Sequence, residues 1–596
     1  MLFSNTLSGH SHLKKRLPFL SKKYMFYLKS KCENLKDMCN NKYCAIKIAI
    51  ALNLFFLLVC YILGVKFFMG LCDDVFMARI LEGAYGDSYN VRMTFVNVLY
   101  GYALLPLYYL FPKISWYYVG EVFAVFISFT VLSYVIIKKM GLQWGSVFSF
   151  IIIACFARDF YLTLQFTQCA AALGAVGVLL FVYGMDSGFS QKKILVLSFV
   201  LMLWGYCMRT DAFLMGLPFF AFVMLFYAKK VFAYRYRFVL CVAVILFGLC
   251  GAKYFNDIHY SASDYQKYLN FQPTRVMLGD KENYDKDAVY EEVEESGLYG
   301  EDYSLLRDWL FYDKEVFSPD SLKLVTAKIA KYTYPLKWSE NLLKVLYRLD
   351  SSLSYPCCWA FCLIGLSLIC FRERNSLYVW GAFAILLAEM CYLVYLMRLV
   401  YRVEVGIWFY ATVLAVPLTK NIRPIPCRLF KVVLGVIIAA YTVSFFLTSS
   451  FIRSNTSGHF LNVSRQEKLI DDYQPIFRYM DSLPNNTVFM MPMNTYQTFS
   501  RCLQPLYVSV PIGSWKRMVS FGFWTPYFPD VEKSLTQYGI ENPMRNVVKE
   551  NVVVVSPNEF LLDYLRRHYY GNVNVDTLRD MGGLKFFKYS EGRADD

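Results

Sequence analysis

Long apolar runs separated by short polar clusters dominate the chain. A helix needs about 20 mostly apolar residues, with a lower limit near 17, to cross a hydrocarbon core about 30 Å thick. The pattern therefore predicts an all-α polytopic membrane protein with about eleven spans. They fall at about residues 45–71, 116–137, 143–157, 165–184, 194–208, 212–228, 238–254, 356–371, 377–396, 405–419 and 432–449.

The charges that flank these runs predict their direction. Residues 1–43 carry a net charge of +7, and cytoplasmic loops are enriched in Lys and Arg. With the N-terminus in the cytoplasm, every inner loop receives a basic cluster, and the C-terminus lies outside. These clusters are Lys138–Lys139, Lys192–Lys193, Lys229–Lys230 with Arg235 and Arg237, Arg372 with Arg374, and Lys420 through Lys431.

One apolar segment is left out of the span count. Residues 94–111, "TFVNVLYGYALLPLYYLF", are long enough to span, but Gly101 and Pro106 interrupt them. Counting this segment would invert the later spans and place the Lys pairs outside. We therefore predict an interfacial or re-entrant helix here.

Two outer regions are too long to be simple connectors. Residues 280–320 of the first carry a net charge of −10, and the second alternates helical and strand-like patterns. The predicted organisation is a basic cytoplasmic N-terminus (1–44), a membrane module (45–254) with first outer loop 72–115, an acidic helical loop (255–355), further transmembrane helices (356–449) and a small α/β domain (450–596).

Composition narrows the class further. Hydrophobic residues make up 57% of the chain and charged residues 18%, against about a quarter charged in soluble proteins. The formal charge of +15 would fit a nucleic-acid partner, but the basic residues follow membrane topology, so none is expected. Most cysteines lie inside apolar runs, and no CxxC or HExxH pattern occurs.

Two adjacent acids follow the first span in "GLCDDVFMARILEGAYG", residues 70–86. Asp73 and Asp74 have two interpretations. They can cap a helix that continues to Leu81, since Asp is a favoured N-cap. Alternatively, one of them is a general base at the outer membrane surface. Because successive helical residues diverge by about 100°, only one is expected to face a substrate; Asp73 is the better cap and Asp74 the better base.

The short outer turns between later spans each pair arginine with an acid. These are Arg158 with Asp159, Arg209 with Asp211, and Arg398 and Arg402 with Glu404. Arginine suits a phosphate because its charge is permanent and its fork is bidentate. The alternative is a solvated turn, or an arginine that reaches the lipid headgroups.

The layout resembles the GT-C superfamily of polytopic glycosyltransferases, which includes protein O-mannosyltransferases and lipid A aminoarabinose transferases. The resemblance rests on the first span, the outer acidic pair, the interfacial helix entering "ALLPLYYLFPKISWYY" and a following span that ends in a basic pair. The phrases "DDVFMARILEGAY", "DYSLLRDWLFYDKEVFS" and "YLVYLMRLVYRV" are similar to uncharacterised surface-polysaccharide membrane proteins of Gram-positive bacteria. A bacterial plasma membrane is the implied location.

The resemblance implies an inverting transfer of a sugar from a polyprenyl-phosphate carrier to a cell-envelope glycan or lipid-linked acceptor, on the outer face. Asp74 or Asp73 would be the catalytic base, and Asp159 would be the second acidic residue. The carrier phosphate would bind Arg402, Arg398, Arg209 and Arg158. Candidates for binding the sugar or acceptor are Glu82, Arg275, Asp302, Asp308 and Trp309.

The sequence leaves alternatives open both for a metal cofactor and for the functional class of the protein. No metal is expected, although Asp73 and Asp74 leave a divalent cation such as Mg²⁺ or Mn²⁺ open; two adjacent acids are a weak metal signal. The competing classes are a transporter or flippase for lipid-linked sugars and a non-catalytic partner in polysaccharide export. A transporter is expected to carry polar groups at mid-membrane, whereas the acids here collect on one side.

Overall fold

The structure is a computed structural model. It describes residues 43–63, 68–69, 72–279, 281, 283–295, 298–334, 337–353, 355–370, 374–423, 426, 428–429, 431–432, 434–440, 443, 463–502 and 507–592. Most of the predicted basic N-terminus and much of the predicted last span, 432–449, lie outside these residues.

Helices form most of the described chain. Up to the acidic loop they are α1 (Cys44–Leu63), α2 (Cys72–Leu81), α3 (Val98–Leu110), α4 (Trp116–Met140), α5 (Leu142–Tyr161), α6 (Phe166–Asp186), α7 (Lys192–Met208), α8 (Thr210–Leu214), α9 (Leu217–Phe226), α10 (Ala228–Ala233) and α11 (Arg235–His259). The acidic loop and later membrane region contain α12 (Ser263–Gly279), α13 (Lys286–Glu295), α14 (Gly300–Arg307), α15 (Pro319–Lys331), α16 (Trp338–Leu353), α17 (Pro356–Cys370), α18 (Leu377–Tyr395) and α19 (Tyr401–Val413).

Six of these helices (α1, α4, α5, α6, α11 and α18) are long and apolar enough to cross a membrane. A seventh span is added if α16 and α17, bent by 83° at their junction, count as one. These helices fit a polytopic membrane protein, but the predicted count of about eleven is not confirmed. Helices α17 and α19 have 15 and 13 residues, which is shorter than a full span needs, while α7 has 17 and lies at the lower limit.

The predicted inner loops meet at one end of the bundle. Asp186 forms an ion pair of 2.8 Å with Lys139 and a second one with Lys230. Nearby, the Trp144 indole donates to the Arg423 carbonyl at 2.9 Å. Basic clusters predicted on one side of the membrane are therefore neighbours in space.

The omitted apolar segment forms α3, which has 13 residues and includes Pro106. At 1.5 Å per residue it is about 20 Å long, which is too short for a span. Asn97 starts it by accepting a hydrogen bond of 3.0 Å from the backbone N–H of Leu99.

The C-terminal region is an α/β domain, as the alternating pattern predicts. Its strands are β3 (Val488–Met491), β4 (Met518–Ser520), β5 (Val552–Ser556), β6 (Val573–Met581) and β7 (Leu584–Glu591). They form one sheet in the order β4-β3-β5-β7-β6, with β3 parallel to β4 and β5 and the other pairs antiparallel. The domain's helices are α20 (Val463–Ser482), α21 (Met493–Cys502), α22 (Pro529–Gln537) and α23 (Leu562–His568).

Two further short strands, β1 (Phe68–Met69) and β2 (Thr163–Leu164), pair with each other outside this domain.

This domain packs on the first outer loop. Backbone N–H groups of Gly513 and Trp515 donate to the carbonyls of Gly83 and Ala84 at 3.0 and 2.9 Å. Side chains add an ion pair of 2.8 Å between Lys533 and Asp87. The domain is therefore attached to the loop that contains the acidic pair.

The acidic loop packs on the other side of the same domain. The Phe311 N–H donates to the Phe521 carbonyl at 3.1 Å. At Gly522 the Trp309 carbonyl approaches so closely that an added Cβ would lie 1.8 Å from its oxygen, so only glycine fits. The two outer regions thus meet beside the strand β4.

Candidate active site

The acidic pair lies in the first turn of α2, beside the N-terminus of α6. Strand β1, just before α2, pairs in parallel with β2, just before α6. Helix α2 begins at Cys72, so both acids are inside it and Asp73 does not precede the helix as a cap. Both still benefit from the positive end of the helix dipole.

Asp74 is fully buried and holds neighbouring structure in place. Its Oδ1 accepts hydrogen bonds from the Phe166 backbone N–H at 2.9 Å and from the Tyr117 hydroxyl at 3.3 Å. Burial raises the pKa of Asp74, and the hydrogen bonds with Glu121 and the Phe166 N–H offset the rise only in part. Asp74, which the sequence favours as the base, therefore has no exposed surface in this structure.

A second buried acid, Glu121 of α4, lies next to Asp74 and interacts with it electrostatically. Within the described residues, Asp74 Oδ2 and both Glu121 oxygens accept from no donor group, and the two carboxyls share a hydrogen bond with each other. Two buried carboxylates at close range do not both ionise. We infer that the pair holds a proton.

Asp73 has the opposite environment. Its side chain is half-buried, and its Oδ1 accepts a hydrogen bond of 2.9 Å from the Trp524 indole N–H. This leaves one carboxylate oxygen for other contacts. The 100° rotation between successive helical residues thus separates a buried acid from an accessible one.

Two arginines from turns that are predicted to lie outside interact with the acidic pair. Arg402 and Arg209 both interact electrostatically with Asp73 and Asp74, and each also senses the charge of Arg398. Arg209 lies over the Phe166 ring at 4.8 Å from its centroid. In the part of the chain that the structure describes, neither Arg402 nor Arg209 forms a hydrogen bond or ion pair with a side chain. The structure therefore brings together three of the four predicted phosphate ligands.

The fourth predicted phosphate ligand, Arg158, and the predicted second acidic residue, Asp159, lie near the end of α5 and have other partners. Arg158 interacts with Cys60 and Asp159. Asp159 is buried at 3% exposure, and its Oδ2 accepts a hydrogen bond of 2.8 Å from the Tyr401 hydroxyl. Asp159 thus supports the start of α19, directly before Arg402.

An apolar groove of about 520 Å³ lies between α16 and the end of α18 with the segment that follows it. The lining residues are Leu343, Lys344, Tyr347, Arg348, Val394, Met397 and Leu399. Arg398 lies between the last two of them in sequence but does not itself line the groove.

Arg275 and Trp309, predicted to bind sugar or acceptor, pack on the far side of Trp524. The Arg275 guanidinium lies 3.6 Å from the centroid of the Trp524 ring and 5.0 Å from that of Trp309. Arg275 is 3% exposed, and its Nε donates to Gln272 at 2.9 Å. Arg275 therefore lies beside Trp524, the residue that donates to Asp73, while Trp309 is half-buried next to Arg275.

Two other predicted ligands are enclosed by protein groups. Glu82 is fully buried and pairs with Arg79 at 2.6 Å. Asp302 is also fully buried, accepting from His568 at 2.8 Å and Arg567 at 3.1 Å. The partners of both carboxylates in this structure are protein side chains.

Asp308 is exposed at the end of α14. No contact of its side chain connects it to the acidic pair within the described residues. The chain thus offers one exposed acid of the acidic loop as a control for substitutions at the site.

A shared divalent cation fits the acidic pair poorly. Asp73 and Asp74 are bonded to different partners, Trp524 on one side and Phe166 with Tyr117 on the other. In the described ranges no group of three or more His, Cys, Asp or Glu side chains is arranged to hold a metal ion.

Trp524 and Tyr401 are not among the predicted site residues. Trp524 contacts Asp73 across 451 positions, and Tyr401 contacts Asp159 across 242. No local pattern signals such contacts. Only the position of Trp524, just after a parallel strand at the carboxyl edge where α/β sheets place their sites, provides a general indication.

No protein-family model matches the chain, and no curated protein matches it in sequence. Among solved structures, ArnT from Cupriavidus metallidurans bound to undecaprenyl phosphate is similar over 92% of this chain and 98% of its own, with 12% identity and a TM-score of 0.39. The apo oligosaccharyltransferase from Archaeoglobus fulgidus is similar over 87% of this chain and 70% of its own, with 13% identity and a TM-score of 0.38. These similarities are distant.

Proposed function

We propose that this protein is a membrane glycosyltransferase of the GT-C type. It moves a sugar from a polyprenyl-phosphate carrier to a cell-envelope glycan or lipid-linked acceptor on the outer face. The observation that carries the proposal is that one accessible carboxylate, Asp73, interacts electrostatically with Arg402 and Arg209, neither of which forms a salt bridge in the described chain.

The proposed reaction uses each group once. The acceptor hydroxyl attacks the anomeric carbon, and Asp73 takes the hydroxyl proton as the new carbon–oxygen bond forms. The bond from the anomeric carbon to the phosphate oxygen breaks on the opposite face, so the configuration inverts. The released polyprenyl phosphate keeps the electron pair and its negative charge, which Arg402 and Arg209 stabilise.

The groove supports the assignment of a lipid carrier. A phosphate at the arginine cluster needs an apolar path for its chain, and the groove of about 520 Å³ is lined by Met397 and Leu399, the sequence neighbours of Arg398. Its walls include Leu343, Val394 and Leu399. Lys344 and Arg348 also line it, and Arg348 pairs with the buried Glu404 at 2.7 Å.

Asp74 and Glu121 have a positioning role in this proposal. Asp74 fixes the N-terminus of α6 through Phe166. Phe166 in turn supports Arg209. In this proposal the two buried acids therefore fix the positions of Asp73, the base, and Arg209, a phosphate ligand, and do not touch the substrate.

The test is a complementation experiment in the organism that carries this chain. A deletion strain receives the wild-type chain, Asp73→Asn, Arg402→Gln or Asp308→Asn at matched membrane levels. The surface glycan composition and the pool of polyprenyl-linked sugar are then measured. We expect the first two variants to lose one glycan component and accumulate its carrier, and Asp308→Asn to match the wild type. Normal glycan in the Asp73→Asn strain would refute the proposal.

A further inference from the structure

The indole of Trp524 makes the one described hydrogen bond to Asp73 that comes from the C-terminal domain. It stands in the loop directly after β4, at the carboxyl end of a parallel strand. The α/β domain therefore reaches the centre of the candidate site, although it lies far from the acidic pair in sequence.

The plane of this indole is fixed on several sides. Arg275 lies over the ring at 3.6 Å from its centroid, and Phe95 meets it edge-on at 4.4 Å between centroids. Trp524 itself is only 9% exposed. With its ring locked in this way, the direction of its N–H group is fixed as well.

A fixed donor matters because Asp73 is half-buried and lies in the first turn of a helix. A half-buried carboxylate rotates about its side-chain bonds unless a hydrogen bond holds it. A catalytic group must stay within about 0.5 Å of its productive position. An indole nitrogen is a donor only. It therefore holds one carboxylate oxygen and leaves the other for the acceptor hydroxyl.

This hydrogen bond is not needed to attach the domain. Gly513 and Trp515 bond to the backbone of the first outer loop. Asn90 donates to Asp530 at 2.7 Å, and Lys533 pairs with Asp87 at 2.8 Å. Docking of the domain therefore does not require the hydrogen bond from the Trp524 N–H, whose acceptor is Asp73.

We propose that Trp524 is a positioning residue that orients the Asp73 carboxylate, so that the C-terminal α/β domain is an integral part of the active site. This inference rests on the proposed function, since it assigns Asp73 the role of base. The residue acts through Asp73 and does not contact the substrate.

The test compares Trp524→Phe with Trp515→Phe in the full-length protein. Both replace a buried indole of the same domain, but only the first removes a hydrogen bond to Asp73. The measurements are kcat and KM for a polyprenyl-phosphate sugar, with the melting temperature as the folding control. We expect Trp524→Phe to lower kcat about tenfold with KM unchanged, since a hydrogen bond to a charged group is lost. Trp515→Phe should leave kcat of the folded protein unchanged.

A second variant keeps the shape of the ring. Benzothienylalanine at position 524 replaces the indole N–H by sulfur, so it cannot donate but packs like tryptophan. It should reproduce the loss in kcat at the wild-type melting temperature. Unchanged kcat in this protein would overturn the inference, as would an equal loss of kcat in Trp515→Phe.

The outcomes separate this inference from the proposed function. Transfer lost in Asp73→Asn but normal in the benzothienylalanine protein would reject only the role of Trp524. Transfer retained in Asp73→Asn would reject the proposed function and this inference with it. Adding Trp524→Phe to Asp73→Asn should cause no further loss, because the two groups act as a unit.

Discussion

The Tyr401 hydroxyl donates a hydrogen bond of 2.8 Å to Oδ2 of the buried Asp159, and Arg402 is the next residue along the chain. This contact joins the end of α5 to the start of α19, two elements that are far apart in sequence. It determines where the first turn of α19 lies and therefore where Arg402 points.

Replacing Tyr401 by Phe should weaken binding of polyprenyl phosphate. Removing a hydrogen-bond donor from a buried carboxylate costs about 1.5–3 kcal/mol of stabilising free energy. We expect the first turn of α19, and Arg402 with it, to move in response. We expect about a tenfold rise in Kd, measured by equilibrium binding in nanodiscs. Tyr378→Phe is the matched control, because Tyr378 donates to the Ala411 carbonyl at 3.0 Å near the other end of α19. Equal effects of the two substitutions would contradict this role.

Asp74→Asn should preserve transfer, because Asn still accepts the hydrogen bond from Phe166 and Glu121 can stay protonated beside it. Its effect should appear in stability instead. Burial raises the pKa of Asp74, so the folded state retains a proton that the unfolded state loses above pH 4 or so. Wild-type stability should therefore fall relative to that of the variant as pH rises from about 4. Melting curves over this range check the prediction; loss of transfer in Asp74→Asn would restore Asp74 as the base.

Glu82→Ala should reduce stability without changing the kinetics of the folded protein. It leaves the buried Arg79 unpaired, which costs about 3–5 kcal/mol. The double variant Arg79→Met with Glu82→Met should recover most of the loss, because no buried charge remains. Thermal unfolding and KM for the carrier are the measurements. A raised KM in the folded Glu82→Ala protein would support the sugar-binding role that the sequence predicts.

Asp302→Asn should loosen the contact between the acidic loop and the C-terminal domain. Burial opposes ionisation of Asp302, but the hydrogen bond from His568 and the Arg567 pair outweigh it, so its pKa is lowered. The stability that this carboxylate contributes is therefore present above its unfolded pKa, near 3.9, and lost as pH falls through the folded value. Limited proteolysis of the wild type below pH 4 should resemble that of the variant at neutral pH. Identical protection of both proteins at neutral pH would contradict the structural role.

Val394→Trp should distinguish carriers by chain length. The larger side chain narrows the groove of about 520 Å³ that Val394 lines. We expect a higher KM for a full-length polyprenyl carrier and an unchanged KM for a farnesyl-length analogue. Ala388→Trp, an exposed position on the same helix, is the control. An equal rise in KM for both carriers would place the lipid chain elsewhere.

Periodicity and flanking charge predicted the elements that depend on local sequence. The apolar runs that the structure describes are helical, the interrupted segment 94–111 includes a short helix, and the patterns "TVFMMPM", "NVVVVS" and "GLKFFKYS" coincide with β3, β5 and β7. Strand β4 has only three residues, and β6 is largely exposed. Neither shows the apolar alternation that signals a strand.

The site was predicted less well, because its contacts are non-local. Topology grouped Arg158, Arg209, Arg398 and Arg402 in the prediction, and of these Arg209 and Arg402 interact electrostatically with Asp73 in the structure. Sequence also favoured Asp74 over Asp73, since nothing in "DD" tells which side of α2 is buried. That choice depends on the packing of α4 and α6, which fully covers Asp74.

The most direct test of the account separates binding from turnover at the two sides of the site. Polyprenyl phosphate binding and sugar transfer are measured on purified wild type, Asp73→Asn and Arg402→Gln in nanodiscs. We predict that Asp73→Asn binds the carrier as the wild type does but transfers sugar 10²–10⁴-fold more slowly, while Arg402→Gln loses binding. Normal transfer by Asp73→Asn, or normal carrier binding by Arg402→Gln, would contradict it.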